Sequence, residues 1–105
     1  MKPVRLSEEA SGEVFEAALW YRNRSAGLEN EFLDEVDRII PLIANSPRAF
    51  SRLLDVPDDL IVRRALLPRF PYAVIFMDLE EDIRVLAVAH VKRQPGYWLN
   101  RVRQD

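Results

Sequence analysis

The stretch from Ile61 to Trp98 constrains the fold more than any other. It reads IVRRALLPRFPYAVIFMDLEEDIRVLAVAHVKRQPGYW, three extended segments rich in β-branched and aromatic residues, divided by a proline-containing corner and an acidic turn. Segments this short and this close together predict an antiparallel meander, with strands over 60–67, 72–79 and 83–89. Strict alternation in the last places Ile83, Val85, Ala87 and Ala89 on one face and Arg84, Leu86, Val88 and His90 on the other. Both faces are then apolar near the centre, so this strand is central, helix-covered on one side and partly shielded on the other.

The preceding residues predict the cover. Pro3 to Leu6 reads as an edge strand, with proline tolerated at its start. Ser7 follows as a helix N-cap, with Glu8 and Glu9 opposing the positive end of the dipole. That helix runs to about Ser25, turning Ala10, Val14, Ala17, Ala18 and Tyr21 inward, with Phe15 and Leu19 widening the stripe and Trp20 near its edge. Gly27 breaks it. A second helix then carries Leu28, Phe32, Val36, Ile39, Ile40 and Ile43 on its apolar face and turns Glu29, Glu31, Asp34, Glu35, Asp37 and Arg38 to water. Pro41 removes one backbone donor and predicts a kink or a tightened last turn before Ser46 and Pro47 end the helix. So short a connection makes the two helices an antiparallel hairpin, whose shared apolar side needs the sheet. Residues 46–60 read as irregular and pinned by Phe50, Leu53 and Leu54. After the meander, a Pro95-Gly96 corner leads into a helix-like tail in which Tyr97, Trp98, Leu99 and Val102 fold back on the sheet. The expected class is α+β, one domain spanning 1–105.

Composition excludes several classes. The 105 residues suffice for one core. No apolar run approaches the roughly 20 residues that span a bilayer, so no membrane partner is expected. MKPVRLSEEAS lacks the apolar stretch of a signal peptide, and with no cysteine in the chain the expected compartment is the cytoplasm. One histidine and no cysteine leave only carboxylates as metal ligands, and these cluster on turns and helix faces, so neither a metal nor another cofactor is expected. No glycine-rich phosphate loop or nucleophile elbow is present.

The net charge of −2 hides an asymmetry. Residues 1–60 hold 7 basic and 12 acidic side chains, net −5, whereas 61–105 hold 8 basic and 5 acidic, net +3. Four of those five acids, Asp78, Glu80, Glu81 and Asp82, share one turn, so the rest of that half is more basic still. An anionic partner would meet the sheet. Its candidate contacts are Arg63 and Arg64 at the meander's entrance, Arg69 at its first corner, Lys92 and Arg93 past its exit, and the lone histidine, His90. Each also has a structural reading. His90 could be a hydrogen-bonded packing residue, Arg69 could bond carbonyls at its corner, and Arg93 and Arg101 could pair with the acidic helices.

Two helices in a hairpin, then RRALLPRFPYAVIF, an acidic turn, VLAVAHVKRQPGYW and Arg101, resemble the RelE/ParE superfamily of toxins from bacterial type II toxin–antitoxin modules. The likeness covers nearly the whole chain. Its most specific pieces are Arg69-Phe70-Pro71-Tyr72, and His90 followed by Arg93, Pro95 and Trp98. It implies a helical hairpin on one side of a twisted antiparallel sheet, and a growth-arresting toxin, often plasmid-stabilising, held inactive by a cognate antitoxin. The superfamily contains two mechanisms. Members like RelE cut mRNA on the ribosome, which needs a proton acceptor, a donor to the leaving oxygen and cations on the phosphate; here Arg64, Arg69, Tyr72, His90 and Arg93 could supply them. Members like ParE poison DNA gyrase and do no chemistry of their own. RelE-like enzymes carry lysines and an arginine where this chain has Arg64, Leu66 and Ala73, and PGYWLNR is similar to ParE-like tails. The resemblance therefore points to a ParE-like protein without catalytic residues, contacting antitoxin or target through Arg63, Arg64, Arg69, Lys92, Arg93, Trp98, Arg101 and Arg103. Arg93, Arg101 and Arg103 are expected to project as one basic patch. An mRNA endoribonuclease and an inactive scaffold of the same fold are the alternatives.

Overall fold

The computed structural model describes residues 1–103, so Asp105, counted among the acids above, lies outside the described residues. The elements follow in the order β1 (Val4–Leu6), α1 (Glu8–Arg24), α2 (Leu28–Asn45), β2 (Ser51–Arg52), β3 (Val62–Leu66), β4 (Tyr72–Asp78) and β5 (Ile83–His90), with 3₁₀ turns at Pro47–Ala49 and Leu99–Arg101. Ser7 marks the change from strand to helix. Its N–H donates to Val85 O at 3.0 Å, ending the β1 ladder, while its Oγ accepts from Ala10 N at 3.0 Å and caps α1. Gly27 adopts φ 86°, a left-handed conformation that lets α2 start after only three intervening residues. The expected hairpin forms, and α2 continues through Pro41 to Asn45.

The sheet runs β1-β5-β4-β3-β2. The meander β3-β4-β5 is antiparallel as its spacing predicted; β4 is the central strand, and β5, expected there, lies one place out, between β4 and the short β1. The sheet as a whole is mixed, because β1 lies parallel to β5, with Val4 opposite Ile83 and Leu6 opposite Val85. A parallel pair needs a long crossover, and the hairpin and meander together supply it. The region read as irregular contains the short edge strand β2, with Ser51 opposite Arg64.

Helix-side packing is aromatic. Tyr21 of α1 and Phe32 of α2 meet Phe70 at 4.8 and 5.4 Å between ring centres, and Phe32 meets Tyr72 at 5.3 Å. Val74, Phe76, Ile83, Val85 and Val88 complete that core. Over the opposite face a smaller cluster closes on Trp98, joining Val62, Ala73, Ile75, Met77, Leu86 and Ala87. Gly96, at φ 79°, makes the corner that seats the tail; a Cβ there would stand 3.0 Å from Leu99 Cδ1.

Four expectations are corrected. The register between β4 and β5 shifts at Ile75/Phe76: Ile75 faces Ala87, Phe76 faces Val85, and Leu86 is an extra, bulged residue. Leu86 and Ala87 therefore both pack against the tail, and Val88 returns to the helix side with Ile83 and Val85. Glu35, expected in water, is buried at 4% exposure. Phe15 is 64% exposed rather than widening the core stripe, and Leu54, 84% exposed, pins nothing.

Candidate functional site

The arginines divide into those consumed by the fold and those left at the surface. Arg69 is consumed: its Nε donates to Glu35 Oε2 at 2.7 Å, its backbone N–H to Glu35 Oε1 at 3.1 Å, and its Nη1 to Glu31 Oε1 at 3.2 Å. Its hydrogen bonds to Glu35 and then to Glu31 hold its pKa above the ordinary arginine value. Arg69 thus bonds carboxylates of α2 rather than carbonyls of its own corner. Arg63 donates to Phe50 O at 2.9 Å, with Nε 3.9 Å from Asp78 Oδ2. The acidic turn is partly neutralised by the N-terminal strand, Lys2 reaching Asp78 at 2.7 Å and Arg5 reaching Asp82 at 3.2 Å.

Arg101 does not project. Its Nη1 donates to Glu13 Oε1 and to Leu86 O, each at 3.0 Å, and its side chain is 13% exposed. Glu13, which the sequence reading missed, gathers the tail onto α1 and β5. It accepts from Val88 N at 3.0 Å and from the Tyr97 hydroxyl at 2.6 Å, and Arg93 Nη1 stands 3.6 Å away. Burial, then the hydrogen bond and charge of Glu13, push the Tyr97 pKa from the usual 10.0 up to about 12. For Arg101 burial opposes the charge, but the hydrogen bond and charge of Glu13 outweigh it and the pKa rises. Arg93 lies over the Tyr97 ring at 3.8 Å. A signal for Glu13 and Glu35 did exist. Each sits three residues after a fully buried helix position, Ala10 and Phe32, so at 3.6 residues per turn each lies about 60° off the buried stripe and within reach of the sheet.

Two hollows flank the end of β5. On the helix side a groove of ≈ 420 Å³ runs between α1, which contributes Glu13, Glu16, Ala17, Trp20 and Tyr21, and the sheet, which contributes Tyr72, Val88 and His90, with Arg93 at its mouth. Tyr72 and His90 are opposite each other in the ladder, their rings 5.2 Å apart and edge to face. Burial raises the Tyr72 pKa. His90 Nδ1 accepts from Lys92 N at 3.1 Å, so a neutral ring carries its proton on Nε2. On the opposite face a smaller hollow of ≈ 140 Å³ holds exposed Arg64 beside Ala73, Ala89, Tyr97 and Trp98, and it shares His90 and Arg93 with the groove. Arg64 has no ion pair among the described residues; Arg103 has a solvent-exposed one to Asp59 at 3.5 Å. Of the five residues a nuclease would use, Tyr72, His90 and Arg93 therefore gather at the groove, Arg64 stands across the sheet but shares the smaller hollow with His90 and Arg93, and Arg69 is tied to α2.

Two helices on one face of this five-stranded sheet, with a tail closing the other, are an arrangement found elsewhere. The structure is similar to a chain of the chromosomal ParDE TA system from P. aeruginosa, with a TM-score of 0.62 at 18% sequence identity, covering 86% of this chain and 96% of that one. The fold is RelE/ParE-like. No family model and no curated protein matches the sequence. Within this fold the candidate residues Tyr72, His90 and Arg93 sit at one end of the sheet, where β5 passes into the tail. No helix among the described residues is long and apolar enough to cross a membrane.

Proposed function

We propose that the protein is the toxin of a bacterial type II toxin–antitoxin module, neutralised by a cognate antitoxin and arresting growth by a ParE-like action on DNA gyrase. The toxin reading is supported by a fold shared over most of both chains with a component of a ParDE system. The choice of gyrase is carried by one observation: of the cations a ribonuclease would focus on a single phosphate, Arg69 is tied to α2, and Arg64 and Arg93, which share a hollow with His90, stand on the face of the sheet away from the buried part of the Tyr72 groove. Phosphoryl chemistry needs its cations convergent. His90, moreover, already spends Nδ1 on the Lys92 amide. Surface cations Arg64, Lys92, Arg93 and Arg103 then serve as the target-binding set, with Trp98 and Arg101 holding the tail in place beneath them.

A second reading, an mRNA endoribonuclease, draws on the grouping of Tyr72, His90 and Arg93 around the groove. Induced expression separates the two. The expected outcome is growth arrest with DNA damage and filamentation, intact transcripts, and inhibition of gyrase supercoiling by the purified protein. Arrest with transcripts cut in the ribosomal A site, abolished by His90→Ala, would establish the nuclease instead.

A further inference from the structure

Among the cations left at the surface, one is clamped. Arg64 and Lys92 are exposed and have no ion pair among the described residues. The Arg93 side chain is 54% exposed, yet three contacts fix the residue. Its backbone N–H donates to His90 O at 3.0 Å, its guanidinium lies 3.8 Å from the Tyr97 ring centre, and its Nη1 stands 3.6 Å from Glu13 Oε2. The ring is fixed in turn. Across the Pro95-Gly96 corner the Tyr97 N–H donates to Gln94 O at 3.3 Å, and the hydroxyl donates to Glu13 Oε2 at 2.6 Å. One carboxylate oxygen thus anchors the ring beneath the guanidinium and draws the guanidinium onto the ring. Burial, then Glu13, keep the phenol protonated far into alkali, so this donor persists at neutral pH.

The arginines that serve the fold spend their donors on it. Arg69 gives Nε and Nη1 to Glu35 and Glu31, and Arg101, 5.1 Å from the same Tyr97 ring, gives Nη1 to Glu13 and Leu86 O. Arg93 donates no side-chain hydrogen bond among the described residues. Ring and charge hold it, and its N–H donors stay available. A planar fork presented in one orientation suits the two oxygens of a carboxylate. Ordering a long flexible side chain costs affinity, and one ordered before contact escapes much of that cost. We propose that Tyr97 is a positioning residue for target binding, which with Glu13 holds the Arg93 guanidinium so that its open edge meets a carboxylate of the target protein. The inference rests on the reading of this chain as a gyrase inhibitor with Arg93 in its target-binding set. Arg64 and Lys92 then add attraction, and Arg93 supplies the directed contact.

The test measures inhibition of gyrase supercoiling by the purified full chain, with circular dichroism checking that each variant folds. Arg93→Ala should raise the half-inhibitory concentration about tenfold or more. Tyr97→Leu should raise it about fivefold, the scale of a lost cation–π contact and a side chain to be ordered anew. Tyr97→Phe keeps the ring and should stay within about twofold of the wild type. The deciding comparison is Tyr97→Leu in the Arg93→Ala background, which should cause no further loss, because Tyr97 acts through Arg93. A residue that merely holds the tail would weaken both backgrounds alike, and additive losses in an inhibiting chain would sink the inference while leaving the gyrase reading intact. Should Tyr97→Leu not fold, Arg93→Lys decides: it keeps the charge on an exposed side chain without the fork, and should lose about fivefold. Wild-type potency there would mean that charge alone suffices and that nothing needs positioning. A wild-type chain that leaves supercoiling untouched would overturn the gyrase reading and this inference with it.

Discussion

Glu35 and Glu13 do the same thing in different places, and the contrast separates what holds the helix-side core from what holds the tail beside the candidate site. Each is a helix carboxylate that accepts one backbone amide and one guanidinium: Arg69 supplies both for Glu35, while Val88 and Arg101 supply them for Glu13. Glu35 secures a corner that aromatic packing already fixes, since Phe70 is wedged against Tyr21 and Phe32. Glu13 secures a tail whose other anchor is a smaller cluster around Trp98. Arg69 remains more than half exposed and can return to water, whereas Arg101 is almost enclosed. A buried carboxylate matters most where its partners have nowhere else to go.

Four measurements sharpen or break that contrast. Glu13→Ala orphans Arg101, the Tyr97 hydroxyl and the Val88 amide together, and should cost about 3 kcal/mol in urea denaturation, with residues 97–102 losing exchange protection first. Should the loss be small and the tail stay protected, Trp98 alone holds it. Glu35→Ala should cost less, because Arg69 resolvates and the aromatic cluster persists; an equal or greater loss would invert the comparison.

Tyr97→Phe removes one hydrogen bond to Glu13 and should cost about 1 kcal/mol. Its clearer signature is in alkali. The folded pKa of Tyr97 is raised from 10.0 to about 12, so the protonated phenol favours the folded state; its contribution is fully present below pH 10 and lost as pH rises through about 12. Denaturation midpoints followed across that window should fall more steeply for the wild type than for Tyr97→Phe. Parallel curves would mean that the phenol titrates as it does in the unfolded chain.

Arg64→Glu should change stability by no more than about 0.5 kcal/mol, being exposed and unpaired. Growth arrest on induction should weaken all the same, as a cation of the proposed target surface is reversed. Full toxicity in that variant would remove Arg64 from the target surface and leave Lys92, Arg93 and Arg103.

Much of the fold was legible because its signals are periodic and local. The Ser7 cap, the stripes of both helices, the meander and the proline-glycine corner are all written within a few residues of where they act. The bulge was not legible. In Leu86-Ala87-Val88-Ala89 every residue is apolar, so alternation carries no phase information, and only the pairing of β5 with β4 reveals the extra residue. At the site, the gathering of Tyr72, His90 and Arg93 followed from the meander itself. The fate of Arg69 did not, because its partner lies 34 residues away in the chain; for Arg101 the sequence offered both a projecting patch and a pairing with the acidic helices, and only its contact with Glu13, 88 residues away, decides for the pairing.

The sequence by itself determined which of the longer segments are helix and which are strand, that α1 and α2 form a hairpin over the sheet, and that the second half is net basic. Only the tertiary structure decided which of those basic residues remain free to act. Periodicity is a property of neighbours along the chain. Coulombic and hydrogen-bond partnership depends on distance in space and on burial, and these are defined once β1 has closed beside β5, α1 has crossed it, and the tail has come to rest on Glu13.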